Sequence, residues 1–226
     1  MDSILEVKEI PYLSGKKRLL LQAETKLDDL LNHPQCPTFI YSALCGKVTW
    51  QKRSELTVER VLAAPGLAPQ LMGALLAWGA GCILDDGSER PLETVAAEPG
   101  AHHRVRTLVL PLDVPGRAWG ESRTGSTPED WSIVWAIAVV DHQDGQINNA
   151  RIALSGVWLQ SVALAKSAGA LAGNSLNAET IRQAADAVAA EANPRGDFRG
   201  SAEYRKSMAG VLTRRALQAC LEGAAA

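Results

Sequence analysis

The sequence lacks an excess of positive charge. Lysine and arginine total 23 against 25 aspartates and glutamates, so there is no basic field to draw in nucleic acid or an anionic membrane surface, and partners must be recognised by shape and local chemistry. Long apolar runs are missing too. The longest, LMGALLAWGAGCIL at 71–84, is too short to span a bilayer as a helix and holds three glycines. The opening MDSILEVKEIPY has no positively charged stretch ahead of an apolar core, as a secretory leader would. These absences predict a cytoplasmic protein with no membrane insertion and no nucleic-acid partner.

Cysteine is sparse and shows no ligand spacing. Cys36, Cys45, Cys82 and Cys220 include no C-x-x-C, which argues against a zinc or iron–sulfur site on this chain and leaves buried free thiols as the expectation. His102 and His103 are adjacent, diverge on any regular element, and have no third ligand beside them. Asp85 with Asp86, and Glu129 with Asp130, read as turn formers rather than as an acid–base pair. SGKK at 14–17 matches S-x-x-K without the companion motifs of that hydrolase class. GAGCIL from Gly79 lacks the third glycine and the following helix of a dinucleotide-binding fingerprint, so it reads as a helix end or a close backbone approach. No catalytic residue and no metal ligand is assigned.

What is there is a chain of 226 residues, 46% hydrophobic and 21% charged, long enough for one large or two small domains. RLLLQAE reads as a strand and TKLDDLLNHP as a short helix capped by Thr25 and stopped by Pro34. LTVERVLAAPG and APQLMGALLAWGAG read as helices. GCILDD, a turn at Asp86 and Gly87, and HRVRTLVLPL follow as strand, turn and strand. Residues 113–130 are rich in Pro, Gly, Ser and Thr without apolar period, and are expected to cross between domains.

Beyond lies a β-hairpin, with WSIVWAIAVVD and QINNARIALSGVWL joined by a turn containing Asp144 and Gly145. Three helices are expected after it: SVALAKSAGALAG, then NAETIRQAADAVAAEA opening on Asn177, then SAEYRKSMAGVLTRRALQACLEG opening on Ser201. In the last, Tyr204, Met208, Val211 and Leu212 are expected on the buried face, with Arg205 and Arg215 elsewhere. Ser201 is placed to cap, Glu203 lies where the helix dipole favours a negative charge, and Asp197 and Arg199 stand ready to pair with that helix or its neighbour. Asp197, Arg199, Ser201, Tyr204 and Arg205 are therefore assigned structural roles. Trp131, Trp135 and Trp158 are candidate interface anchors, with simple burial as the alternative.

DWSIVWAIAVV, ARIALSGV, ALAGNSLN and DFRGSAEYRKSMAGVLTRRAL, in that order, resemble the C-terminal domain of the flavin-carrying medium subunit of molybdenum hydroxylases, the family of carbon monoxide dehydrogenase and xanthine dehydrogenase. KRLLLQAETKLDDLLNHP, and ALLAWGAGCILDDGSERPLE followed by VRTLVLPL, resemble the second lobe of the family's flavin domain. The resemblance implies an α+β fold: a partial PCMH-type flavin lobe at 1–118, then a C-terminal domain of antiparallel sheet packed with helices at 119–226. It implies partners as well, a large subunit with the molybdenum cofactor and a small subunit with iron–sulfur clusters.

The chain departs from the family pattern where FAD is held. It starts after the lobe that carries the family's A-G-G-T-D-L loop. Thr49, Trp50 and Gln51 stand where the family has the glycines of T-I-G-G-N. Lys47, Thr49, Lys52, Arg53 and Arg123 are the remaining candidates for contact with the cofactor. Side chains at a glycine pair block the approach of backbone amides to phosphate, so FAD is not expected to be tightly bound. The expectation is a truncated, scaffold-type medium subunit. The alternatives are a working FAD electron-transfer subunit, and a free-standing binding or assembly protein.

Overall fold

The computed structural model of the chain describes residues 5–9, 17–112, 114–125 and 132–224. It divides into two compact units, Met1–Val114 and Pro115–Ala226. The fold is α+β, with antiparallel sheets in both.

The first unit contains strands β1 (Leu5–Glu9), β2 (Lys17–Gln22), β3 (Gly81–Leu84), β4 (Glu89–Pro91) and β5 (Val105–Pro111), in the sheet order β1-β2-β5-β3-β4. Along β2, Leu19 and Leu21 are buried and Leu20 and Gln22 are half-buried, the period of two that places one face on a core. Among the described residues, six α-helices belong to this unit: α1 (Leu27–Leu31), α2 (Thr38–Leu44), α3 (Trp50–Glu55), α4 (Val58–Ala63), α5 (Pro69–Trp78) and α6 (Leu92–Ala97). Helix α5 is apolar all round and, after Pro69, buried at every position. It ends where Gly79 enters the left-handed region at φ 78°, with the amides of Gly79 and Ala80 bonded back to Leu76 and Leu75. Trp78 stacks on Phe39 at 3.9 Å and donates its indole N–H to the Pro111 carbonyl at 2.7 Å, tying helix to sheet.

Two details differ from the sequence reading. Thr25 does not cap α1; Lys26 occupies that position without a side-chain bond, and Thr25 is buried, its carbonyl accepting from the Val58 amide. Helices α2 and α3 were not anticipated, because each is too short to display an apolar period.

The second unit is a four-stranded antiparallel sheet in the order β6-β7-β8-β9, from β6 (Arg117–Thr124), β7 (Val134–Gln143), β8 (Gln146–Ser155) and β9 (Val162–Leu164). Two helices lie with it, α7 (Ala178–Glu191) and α8 (Ala202–Ala224). The hairpin turn is as expected: Asp144 and Gly145 adopt φ of 52° and 76°, the mirror-image geometry that matches the strand twist. Helix α7 opens with a reciprocal cap between Asn177 and Thr180.

Within the segment expected to cross between domains, Arg117–Thr124 form β6, and the boundary between the two compact units falls at Val114/Pro115. Gly120 is where this strand meets α8. A β-carbon there would overlap the Ala216 carbonyl oxygen and Ala219 of α8, so the helix seats only against a strand that is bare at this point. SVALAKSAGALAG is not an α-helix but β9 followed by a 3-10 helix, Lys166–Leu171. Its first amides, of Lys166 and Ser167, each donate to the Glu191 carboxylate at 2.9 Å.

Candidate functional site

The DFRGSAEYRKSMAGVLTRRAL stretch is organised around Arg205, which is buried at 6% exposure on the first turns of α8. Its guanidinium reaches four acceptors. Nη1 donates to the carbonyls of Ile133 at 2.9 Å and Gly156 at 3.1 Å, Nε to the carbonyl of Gly200 at 3.3 Å, and Nη2 to Asp197 Oδ1 at 2.7 Å. One side chain thus fastens the entry to β7, the exit from β8 and the turn before α8. Gly156 is required here: at φ 79° it faces both the Ile133 carbonyl and Arg205, leaving no room for a β-carbon.

Asp197 also accepts from the amides of Arg199 at 2.9 Å and Gly200 at 3.2 Å. The Arg205 side-chain bond first, then the Arg199 amide, hold its carboxyl below the usual carboxylate range. Ser201 Oγ accepts from the Tyr204 amide at 3.1 Å, the cap read from sequence. The Glu203 carboxyl is likewise lowered, by its own amide and then by the Ser201 hydroxyl.

Two sequence expectations are corrected in this stretch. Arg205, expected away from the buried face, is the buried residue, and Tyr204 is 38% exposed, its hydroxyl 3.1 Å from Thr124 Oγ1. The reason is the row of carbonyls beneath the helix start, which needs donors that a phenol cannot supply in number.

Of the candidate interface tryptophans, Trp131 lies outside the described residues. Trp135 is fully buried and donates its indole N–H to Glu121 Oε2 at 2.9 Å, so within the chain it is a core residue rather than an exposed anchor. Trp158 is half-buried against the core of the second unit, with Nε1 buried and unbonded among the described residues.

The candidates for cofactor contact fall into two groups. Lys47 and Thr49 lie in the turn before α3, and Lys52 and Arg53 in its last turn. Arg123 is on β6 of the second unit, paired in register with Trp135. Thr49 is the N-cap of α3: its Oγ1 accepts from the Lys52 amide at 3.4 Å and its carbonyl from the Arg53 amide at 3.0 Å. Arg53 donates to Asp28 Oδ1 at 3.2 Å and to the Val48 carbonyl at 2.7 Å, partners that no sequence pattern signalled. Trp50 projects with 69% of its surface exposed.

Among the described residues, the remaining polar groups do not converge on a reaction centre. The rings of His102 and His103 lie 4.0 Å apart, tilted by 46°, on a 3-10 turn, and among the described residues no three His, Cys, Asp or Glu side chains gather to hold a metal. Asp85 and Asp86 form the turn after β3 and pair with Arg104; the Ser88 hydroxyl and amide foremost bring Asp86 down to about 2. Cys82 and Cys220 are buried, and burial pushes both thiols up to about 12, whereas Cys36 is half-buried and Cys45 is exposed, contrary to the expectation for all four. Glu129, Asp130 and Ser14 lie outside the described residues. No helix among the described residues is long and apolar enough to cross a membrane.

Residues 125–220 match the CO dehydrogenase flavoprotein C-terminal domain. The chain is similar to the carbon monoxide dehydrogenase medium chain of Hydrogenophaga pseudoflava, at 29% identity over 110 residues covering 49% of this chain and 38% of that one. It is similar to the medium chain from Afipia carboxidovorans at 28% over 123 residues, covering 54% and 42%. The matched stretches thus span about two-fifths of those relatives' lengths. Among solved structures, the carbon monoxide dehydrogenase of Hydrogenophaga pseudoflava lacking the Mo-pyranopterin moiety superposes with a TM-score of 0.79 at 22% identity, over 97% of this chain and 78% of that one. The β6–β9 sheet, the α7–α8 pair and the Arg205 hub all fall within the matched residues 125–220 or directly beside them. Residues 125–220 thus carry a CO dehydrogenase flavoprotein C-terminal domain, and the chain is similar in sequence and in fold to carbon monoxide dehydrogenase medium chains.

Proposed function

We propose that the chain serves as a scaffold-type medium subunit of a molybdenum hydroxylase complex, joined to a large subunit with the molybdenum cofactor and a small subunit with iron–sulfur clusters, and that it does not hold FAD tightly. The observation that carries this reading is the helical start at Thr49. A pyrophosphate taken out of water needs several backbone N–H groups turned towards it, with room for close approach. Here the amides of Lys52 and Arg53 are spent on Thr49, the Arg53 guanidinium is spent on Asp28 and Val48, and the Trp50 indole stands where an open backbone would be needed.

These residues do not fit a pyrophosphate cradle, and no flavin step follows from them. In this reading electrons leave the complex from the iron–sulfur subunit. The large subunit sets the substrate.

One observation favours the alternative of a working FAD subunit completed by another chain. Lys47, Lys52 and Arg53 concentrate positive charge around Thr49. The two readings separate on the purified full chain. Scaffold function predicts a colourless preparation whose melting temperature does not move when FAD is added well above micromolar concentration. A yellow protein with near-stoichiometric FAD would restore the electron-transfer role. Purification from the native source is expected to bring both partner subunits along, and a clean monomer there would mean a free-standing protein instead.

A further inference from the structure

We infer that the turn bearing Phe198 is the anchor by which this chain docks onto a partner subunit, one whose contact face is an apolar socket rimmed by carboxylates. This rests on the complex proposed above and names the point of attachment within it.

The chain has two phenylalanines. Phe39 is core, at 1% exposure, and Phe198 is 99% exposed. A ring so fully in water would be unremarkable at the tip of a loose loop, but this turn is tied at every position around it. Asp197 and Gly200 exchange backbone hydrogen bonds at 3.0 and 3.2 Å, the Asp197 carboxylate takes the amides of Arg199 and Gly200, and the buried Arg205 grips both Asp197 and the Gly200 carbonyl. None of these bonds involves the Phe198 side chain. The fold therefore holds out an aromatic ring on a rigid mount to which the ring contributes nothing, and an anchor ordered in advance loses little entropy on docking. The same guanidinium fixes Gly156, ahead of a loop in which Leu159 is 61% exposed, a second apolar group carried on the same hub.

Charge selects the kind of partner. In residues 195–206 Arg205 is buried and paired with Asp197, and Arg199 has a partner of its own, which leaves Arg195 and Lys206 against Glu203 among the exposed charges. A socket for Phe198 is therefore entered through a net positive collar, and a rim of carboxylates answers it. A second copy of this chain answers it poorly, because a two-fold contact at this turn would set like charge against like.

The test uses the full chain with the large and small subunits, measuring affinity by titration and assembly by size-exclusion chromatography. Phe198→Ala is expected to leave the melting temperature unchanged and to weaken binding by about 30-fold, the scale of an interface hot spot. Arg195→Glu should weaken binding less and flatten its dependence on salt. If Phe198→Ala binds as the wild type does, the docking assignment is wrong while the complex stands. If the wild type binds neither subunit, the complex itself is wrong, and the assignment falls with it. A concentration-dependent dimer that Phe198→Ala dissociates would give the turn to a second copy and also overturn the assignment.

Discussion

Arg205 Nη2 stands 2.7 Å from Asp197 Oδ1, with the guanidinium buried and the carboxylate half in solvent. The pair joins a buried row of carbonyls to a surface turn. Burying a cation is tolerated here because every nitrogen has an acceptor, and three of the four acceptors are backbone oxygens, of which the Gly200 carbonyl also takes the Asp197 amide.

Arg205→Ala should therefore be among the most damaging single changes in the second unit. It takes the guanidinium donors from the Ile133 and Gly156 carbonyls together and leaves the Gly200 carbonyl with the Asp197 amide, and about 3–5 kcal/mol of stability is expected to go. Urea unfolding of the full chain measures it. Arg205→Lys should recover only a minor part, since one ammonium cannot reach acceptors that the planar fork serves separately.

The acid limb of stability should depend on Asp197. Its folded pKa is lowered, so its contribution is full above the unfolded value near about 3.9 and is lost as pH falls through the lower folded value. Thermal melts from pH 6 down to pH 2 should show a steepening loss at the acid end that Asp197→Asn flattens. An Asp197→Asn variant with the wild-type acid profile would contradict this role.

Ser201→Ala should cost about 1 kcal/mol through loss of the helix cap. Tyr204→Ala should cost only about 1 kcal/mol as well, because the ring is 38% exposed and its hydroxyl meets a single partner, Thr124. A buried ring would have cost about three times as much. Chemical denaturation of both variants beside the wild type distinguishes the cases.

Gly120→Val should lower the stability of the second unit by about 1–3 kcal/mol or more, because it drives side-chain atoms into the α8 backbone at Ala216. The neighbouring Ser122→Val, on the same strand, serves as the control. A Gly120→Val variant that melts with the wild type would mean that α8 does not pack as closely on β6 as described.

Local chemistry accounts for what the sequence determined by itself. The Asp144-Gly145 hairpin, the Asn177 and Ser201 caps, the apolar α5 with its glycine stop and the long α8 are all signalled within a few residues of where they act. Ordered motifs across 131–221 likewise sufficed to point to the family. The tertiary structure alone decided which neighbour on α8 is buried, since the carbonyls that claim Arg205 come from Ile133 and Gly156, far along the chain. It also decided that residues 117–124 form a strand, because RAWGESRT shows no apolar period and its place becomes evident only where α8 lies against Gly120. Around Thr49 it was again the distant partner, Asp28, that fixed what Arg53 is free to do. Hydrogen-bond demand and close backbone approach are properties of the assembled surface, and no run of adjacent residues carries them.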